Sequence, residues 1–340
     1  MAQSSAQQMR DWTGPALFSF GFRPFFLFGS VWVAFAMVIW ILALSSIVEL
    51  HTRFDPVSWH AHAFLFGYLS AVLAGFLLTA VPNWTGRLPI VGWRLAALFA
   101  LWCFGRFAVF ISAFLPTGIA PLIDLAFPIV LGGLILQEII AGKNWRNLIV
   151  LALLAVFTIA NAIFHIEASR GAYAAQGYGL RLGLATAIMM IAVIGGRIIP
   201  SFTRNWLAKQ NNPARPAAPM QRFDKVTLLV SIPVLAQWVL IPNQESTALG
   251  LLGMGLLHIA RLLRWQGHQT LSDPLVWVLH ASYLLIPIGA FAMSADVFTD
   301  GSSLAAGQHI WMAGAIGAMT LAVMVPIAKL RPIVRRRMAL

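Results

Sequence analysis

The chain has 340 residues, of which 59% are hydrophobic and only 10% are charged. About a quarter of the residues in a soluble domain are charged, so this chain has too few polar side chains to cover a water-facing surface. We therefore expect lipid to be its solvent. The net charge of +12 does not indicate nucleic-acid binding, because the basic residues are divided among short loops and form no basic domain. The single cysteine, Cys103, excludes an intrachain disulfide and a cysteine cluster for a metal.

Apolar segments long enough to cross a membrane, which takes about 20 residues of α-helix, recur along the whole chain. In order they are 25–48, 60–82, 93–114, 118–140, 146–165, 178–200, 225–242, 246–263, 273–295 and 304–328. They predict an all-α fold, a polytopic transmembrane helix bundle of about ten helices. We interpret residues 1–340 as a single integral membrane domain whose two halves are joined by a polar loop at about 201–224. Pro200 is interpreted as the helix stop before that loop.

The basic residues predict the orientation of the bundle. With these segments, 19 of the 23 Lys and Arg residues fall on the side of the N-terminus, and Arg53, Arg170 and Arg181 fall on the other. The remaining one, Arg106, lies within a segment. Because Lys and Arg concentrate in cytoplasmic loops, both termini and the polar loop are expected in the cytoplasm, with the bundle in the bacterial cytoplasmic (inner) membrane.

Histidines near the ends of these segments are candidate metal ligands, because neutral imidazole binds haem iron and copper. Those expected near the outer side are His60, His62, His165 and His309. Those expected toward the inner side are His258, His268 and His280. In a continuous helix His60 and His62 point about 200° apart and would not share an ion. The alternative for each is a hydrogen-bonded interfacial side chain.

Arg106 is predicted at about the middle of the third segment. An arginine at that depth needs a partner or a wet cavity, and the candidates are Asp124, Glu138 or the propionate of a haem. If the helix boundary lies elsewhere, Arg106 reaches the interface along its own apolar stem.

Several segments together resemble the NnrS family, a group of haem- and copper-containing bacterial membrane proteins of the nitric oxide response. They are GFRPFFL at 21–27, WHAH at 59–62, GFLLTAVPNWTGR at 75–87, GRIIPSFTRNWL at 196–207, PLVWVLHASYLLIPIG at 274–289 and HIWMAGAIGAMTLAVM at 309–324. The resemblance implies haem and copper as cofactors, nitric oxide as a small ligand and membrane lipid as the surroundings. It leaves open which histidines bind which cofactor, the oligomeric state and whether the protein is an enzyme.

By the same resemblance, certain residues match family positions. The candidate cofactor and metal ligands are His60, His62, His165, His280 and His309. Arg23 and Arg197 match motif arginines, and the resemblance implies that they contact haem propionates or lipid phosphates. Thr203 matches a motif polar residue, with helix capping as the alternative. Arg106 is added as a candidate for a propionate from its depth alone.

Two departures from the family pattern qualify the functional expectation. Ala63 and Phe64 replace the Glu and Met that commonly follow the paired histidines, so a carboxylate is missing there. The sequence after Met324 also lacks the family's usual Gly-His-Thr-Gly-Arg pattern and further helices. The first hypothesis is a haem/copper protein that limits nitrosative damage. The alternatives are a multi-pass transporter of copper or another small solute, and a shortened, inactive family member.

Overall fold

The computed structural model describes residues 12–85, 90–299 and 304–329. Within these ranges it contains helices and no strands, and ten helices are long and apolar enough to cross a membrane. Gly86 and Arg87 of the motif-bearing segment at 75–87, and the C-terminal residues from 330 onward, lie outside the described residues. The predicted all-α polytopic bundle is confirmed, and the protein is a multi-pass membrane protein. The orientation of its termini stays a prediction.

The helices follow the predicted segments closely. α1 is Phe22–Leu44, α3 is Trp93–Phe110, α4 is Ile119–Ala141, α5 is Leu148–Ser169, α6 is Tyr178–Lys209, α7 is Arg222–Leu240, α8 is Glu245–Arg264 and α9 is Pro274–Phe298. α2 has three consecutive parts, Pro56–His62, the π-helical Ala63–Tyr68 and Leu69–Thr85. α10 likewise consists of Leu304–His309, the π-helical Ile310–Gly317 and Ala318–Lys329.

The predicted loop at 201–224 is shorter in the structure. α6 continues through Pro200 to Lys209, and α7 begins at Arg222, so the interpretation of Pro200 as a stop was wrong. Proline removes one backbone hydrogen bond from a helix and strains the preceding turn. Here the turns after Pro200 bury Thr203 and Leu207 almost completely, and this packing stabilises the continued helix.

The chain divides into two compact units, and the division falls within α6 rather than in the polar loop. Unit 1 ends at Gly183 and contains α1–α5 with the first turns of α6, whereas unit 2 begins at Leu184. The first turns of α6 belong to unit 1 because Gly179 and Gly183 lie directly against Phe164 and Phe66, where a Cβ atom would collide.

The π-helical part of α2 shapes the interior of unit 1. In a π-helix the backbone hydrogen bonds join residues five apart instead of four. Two tryptophan indoles donate hydrogen bonds to backbone carbonyls of this segment. Trp32 Nε1 donates to the carbonyl of Ala63 at 2.9 Å, and Trp102 Nε1 donates to that of Gly67 at 3.1 Å. These bonds join α1 and α3 to α2 directly after His62.

Gly67 is required by its neighbours. A Cβ atom there would lie 2.7 Å from Arg106 Nη1 and 2.8 Å from Trp32 Nε1. We expect Gly67→Ala to lower the free energy of unfolding by about 1–3 kcal/mol, the usual cost of overpacking. Gly133→Ala in α4 is the control, because nothing lies within 4 Å of the added atom and it should gain about 0.5–1 kcal/mol. Unfolding in detergent measures both, and equal stability of the two variants would contradict the expectation.

Candidate metal centre

Three ionisable side chains meet inside unit 1, one from each of α2, α4 and α5. His62, Asp124 and His165 each offer a ligand atom, and these atoms all lie within 4.8 Å of one another. All three side chains are buried, with exposed fractions of 1%, 1% and 6%. Successive membrane-spanning helices run in opposite directions, so the beginnings of α2 and α4 and the end of α5 lie at one end of the unit. Residues separated by a long stretch of chain are thereby brought together.

The hydrogen bonds of the cluster converge on one carboxylate oxygen. Asp124 Oδ2 lies 3.1 Å from His62 Nε2 and 3.0 Å from His165 Nε2. A carboxylate accepts only, so both imidazoles carry their proton on Nε2. Asn161 Nδ2 also donates to Oδ2, at 2.8 Å, and its own Oδ1 lies 3.0 Å from His62 Nε2. Asn161 thus orients both the carboxylate and one imidazole.

Arg106 occupies the other side of the carboxylate. Its Nη2 donates to Asp124 Oδ1, and its side chain is buried. The pair neutralises two charges that would be costly to bury singly. Because Arg106 engages Oδ1, the carboxylate presents Oδ2 to the two imidazoles.

The donor set fits a single transition-metal ion. Two imidazole nitrogens and one carboxylate oxygen are ligands of zinc, copper and iron sites. Ligands about 2.0 Å from an ion at tetrahedral angles lie about 3.3 Å apart, and the present nitrogen–oxygen separations of 3.0–3.1 Å are close to that value. An ion would replace the Nε2 protons, and the three protein ligands leave one position open.

A porphyrin does not fit beside this imidazole pair in the present packing. The ring of His62 lies 5.1 Å from that of Phe54, 5.5 Å from those of Phe66 and Phe164, and 5.0 Å from that of His165. These aromatic rings occupy the space that a macrocycle would need. The centre therefore suits an ion and not a haem.

His60 does not join the centre, although it was predicted together with His62. Its ring stacks on Trp40 of α1, with centroids 4.0 Å apart, and lies 4.7 Å from the ring of Phe64. α2 is continuous through this point, so the two histidines point to different faces, as the helical spacing predicts.

Arg106 is not at the middle of its helix. α3 ends at Phe110 rather than near 114, which places Arg106 about one turn from the helix end. Its side chain does not reach the protein surface, because it is only 5% exposed. Of the partners considered from sequence, Asp124 is the one observed.

Unit 2 holds a separate buried polar network, built on α7, α8 and α9. Arg261 Nη1 donates to the Tyr283 hydroxyl at 2.9 Å, and Arg261 Nε donates to Asp224 Oδ1 at 2.6 Å. Because arginine cannot accept, the Tyr283 proton points to His258 Nδ1, 2.7 Å away. His258 Nε2 then donates to Ser231 Oγ at 3.0 Å, and Ser231 donates to the carbonyl of Thr227. Both nitrogens of His258 are engaged, so we assign it a structural role.

The network predicts a measurable cost for removing one hydroxyl. Tyr283→Phe leaves His258 Nδ1 without its donor inside a fully buried site, so the free energy of unfolding should fall by about 1–3 kcal/mol. Tyr178→Phe is the matched control, because Tyr178 is 50% exposed and should change stability little. Unfolding of the purified protein in detergent measures both variants, and equal effects would show that the network contributes nothing.

His280 has a different arrangement from His258. Thr203 donates its hydroxyl to the carbonyl of Ile199 at 2.9 Å, so it accepts from His280 Nε2 at 2.8 Å. This leaves the lone pair on Nδ1, which is buried and has no hydrogen-bond partner among the described residues. Metal-binding histidines are commonly oriented in this way by their other nitrogen. However, a Cβ on Gly267 would lie 2.5 Å from Nδ1, so the turn that contains Gly267 leaves no room there for a porphyrin.

The remaining predicted residues lie outside both clusters. His309 is exposed, and its Nδ1 donates to the carbonyl of Ala305 at 2.6 Å. Arg23 Nη1 donates to the carbonyl of Ala16 and to Ser19 Oγ, which braces the turn before α1. Arg197 is half-buried in α6. Their predicted contacts with cofactor or lipid stay predictions.

Sequence reasoning missed two members of the centre. Asp124 was considered only as a partner of Arg106, and Asn161 was not considered. A signal existed for Asn161, because it precedes His165 by one helical turn and therefore shares its face. Nothing in the local sequence of α4 indicates that Asp124 meets the two histidines.

These observations define a class: a multi-pass α-helical membrane protein with a buried imidazole–carboxylate centre. The family model described as NnrS protein matches residues 16–332. The chain belongs to the NnrS family. A search of curated proteins and a search of solved structures find no match.

Proposed function

We propose that the protein is a copper-binding membrane protein of the nitric oxide response, located in the bacterial cytoplasmic membrane. Membership of the NnrS family and ten apolar helices fit a protein of that response. The observation that carries the metal assignment is the meeting of His62, Asp124 and His165 within 4.8 Å inside unit 1.

Copper is favoured by the ligand chemistry together with the family. Imidazole suits copper, and among divalent first-row ions copper binds nitrogen and oxygen sites most tightly. One position not taken by protein would accept a small ligand, and the enclosing phenylalanine side chains exclude larger molecules. Nitric oxide is small and weakly polar, so it can approach such a centre through lipid.

Haem binding is a second, separate proposal and rests on His280. Nδ1 of His280 has no hydrogen-bond partner among the described residues, and the hydrogen bond from Nε2 to Thr203 fixes the orientation of the imidazole. A histidine that is the axial ligand of a haem iron commonly has both features. In the present conformation Gly267 closes this position, so haem binding requires the turn at 267–270 to move. His280→Ala should then lower haem content without lowering copper content.

The experiment that tests the proposed function uses the full chain, purified in detergent after expression with ample copper and haem. We expect about one copper ion per chain by elemental analysis and a change in the copper spectrum on adding nitric oxide. A preparation with neither copper nor haem would contradict the proposal. Copper uptake into proteoliposomes, without a spectral response to nitric oxide, would instead favour the transporter.

A cellular test addresses tolerance of nitrosative stress. A strain that lacks this protein should grow poorly with a nitric oxide donor, and the wild-type chain should restore growth. The His165→Ala variant, present in the membrane at the same level, should fail to restore it. If that variant fully restored growth, tolerance of nitric oxide would not depend on the metal centre.

A further inference from the structure

The end of α6 and the loop that follows it carry a cavity unrelated to the metal centre. α6 has 32 residues, so at 1.5 Å per residue it is about 48 Å long, well beyond the roughly 30 Å hydrocarbon core of a membrane. Its apolar stretch ends near Pro200, and Arg204 and Lys209 follow. The last turns of α6 therefore lie at the level of lipid headgroups.

The cavity measures about 530 Å³, within the range of ligand pockets. The side chains that can donate hydrogen bonds into it are those of Arg204, Asn211, Asn212 and Arg215, and alanine and proline residues complete its walls. No acidic side chain is among its lining residues. The set is therefore cationic and rich in donors, which suits an anion.

The side chains of Asn212 and Arg215, which line the cavity, are held in place by hydrogen bonds to the protein, and each keeps N–H groups that are free to bind a ligand. Arg215 Nη1 donates to the carbonyls of Asn212, Pro213 and Ala214 at 3.4, 2.8 and 3.2 Å, and its Nη2 and Nε remain to bind a ligand. Asn212 Oδ1 accepts from the amide of Ala214 at 2.9 Å, so its Nδ2 remains a donor. The side chain of Arg204 is exposed, and no hydrogen bond or ion pair links it to another described residue.

The helix end does not repel an anion as strongly as a bare C-terminus would. Asn211 adopts a left-handed conformation with φ of 53°, and the amides of Asn211 and Asn212 bond back to the carbonyls of Ala208 and Leu207. This is the Schellman arrangement, which satisfies the last carbonyls of a helix.

We propose that this cavity binds the phosphate group of an anionic phospholipid of the phosphatidylglycerol type. Guanidinium groups bind phosphate oxygens through charge-assisted hydrogen bonds, and the position at headgroup level brings lipid phosphate to them. The proposal goes beyond the proposed function, because it concerns another site and another ligand.

The test measures lipid binding to the purified full chain by native mass spectrometry, with phosphatidylglycerol and phosphatidylcholine as probes. A charge-assisted hydrogen bond from a guanidinium to a phosphate oxygen contributes about tenfold in affinity, so Arg204→Gln with Arg215→Gln should weaken phosphatidylglycerol binding about 100-fold. Arg204→Gln alone should weaken it about tenfold. The single variant is needed because Arg215 also supports the loop, so replacing Arg215 could weaken lipid binding by disturbing the loop rather than by removing a phosphate ligand.

The matched control is Lys209→Gln with Arg222→Gln, which removes the same charge from the same segment but outside the cavity. It should leave binding within twofold of wild type. Equal losses in the two double variants, or equal binding of phosphatidylcholine, would overturn the proposal. Inorganic phosphate distinguishes the other source of the same chemistry: if it binds alone and displaces the lipid at equal concentration, the site is for free phosphate and the lipid assignment is wrong.

Discussion

Replacing His165 with alanine is expected to lower the copper affinity of the purified protein by at least about 100-fold. Loss of a residue that only orients a ligand costs about 10–100-fold, and His165 is a proposed ligand itself. Its Nε2 lies 3.0 Å from Asp124 Oδ2, so its removal leaves one imidazole and one carboxylate. Competition with a copper chelator of known affinity measures the change.

The same titration distinguishes the members of the centre from other histidines. His62→Ala should behave as His165→Ala does, and Asn161→Ala should lose about 10–100-fold, because Asn161 orients its neighbours. His309→Ala is the control, since His309 is exposed and lies in unit 2. If His309→Ala removed copper and His165→Ala did not, the centre described above would not be the copper site.

Replacing Asp124 with asparagine is expected to lower the free energy of unfolding by about 3–5 kcal/mol, the cost of leaving a buried charge without its partner. Arg106 is 5% exposed, and its Nε has no hydrogen-bond partner among the described residues. The guanidinium would therefore remain charged and poorly satisfied. Unfolding of the metal-free protein in detergent measures this decrease in the free energy of unfolding without a contribution from bound copper.

Two comparisons make this prediction specific to the ion pair. Arg106→Met should cost less, because Asp124 keeps His62, His165 and Asn161 as donors. The double variant Arg106→Met with Asp124→Asn should be more stable than Asp124→Asn alone, since no unpaired charge remains. Asp55→Asn is the surface control: Asp55 caps α2 through its Oδ1, and asparagine caps a helix equally well. A double variant as unstable as the single one would show that the pair is not the source of the cost.

The amino-acid sequence by itself determined the class of fold. Ten apolar segments cannot be solvated by water, so their number and most of their ends follow from the hydropathy pattern along the chain. The structure confirms the ten segments, except that α6 continues past its predicted end to Lys209. The opposite directions of His60 and His62 also follow from the sequence, because helical periodicity is a local property. Even the partner of Arg106 was among those considered, since a buried arginine requires an anion.

Only the tertiary structure decided which polar groups meet. Asp124 lies on α4, yet it bonds to His62 on α2 and His165 on α5, and such contacts depend on how helices pack and rotate against one another. Similar reasoning applies to α6, which continues through Pro200 because distant side chains bury the turns that follow. Spacing along one helix predicts the face of a residue, but the neighbour opposite that face is set by packing.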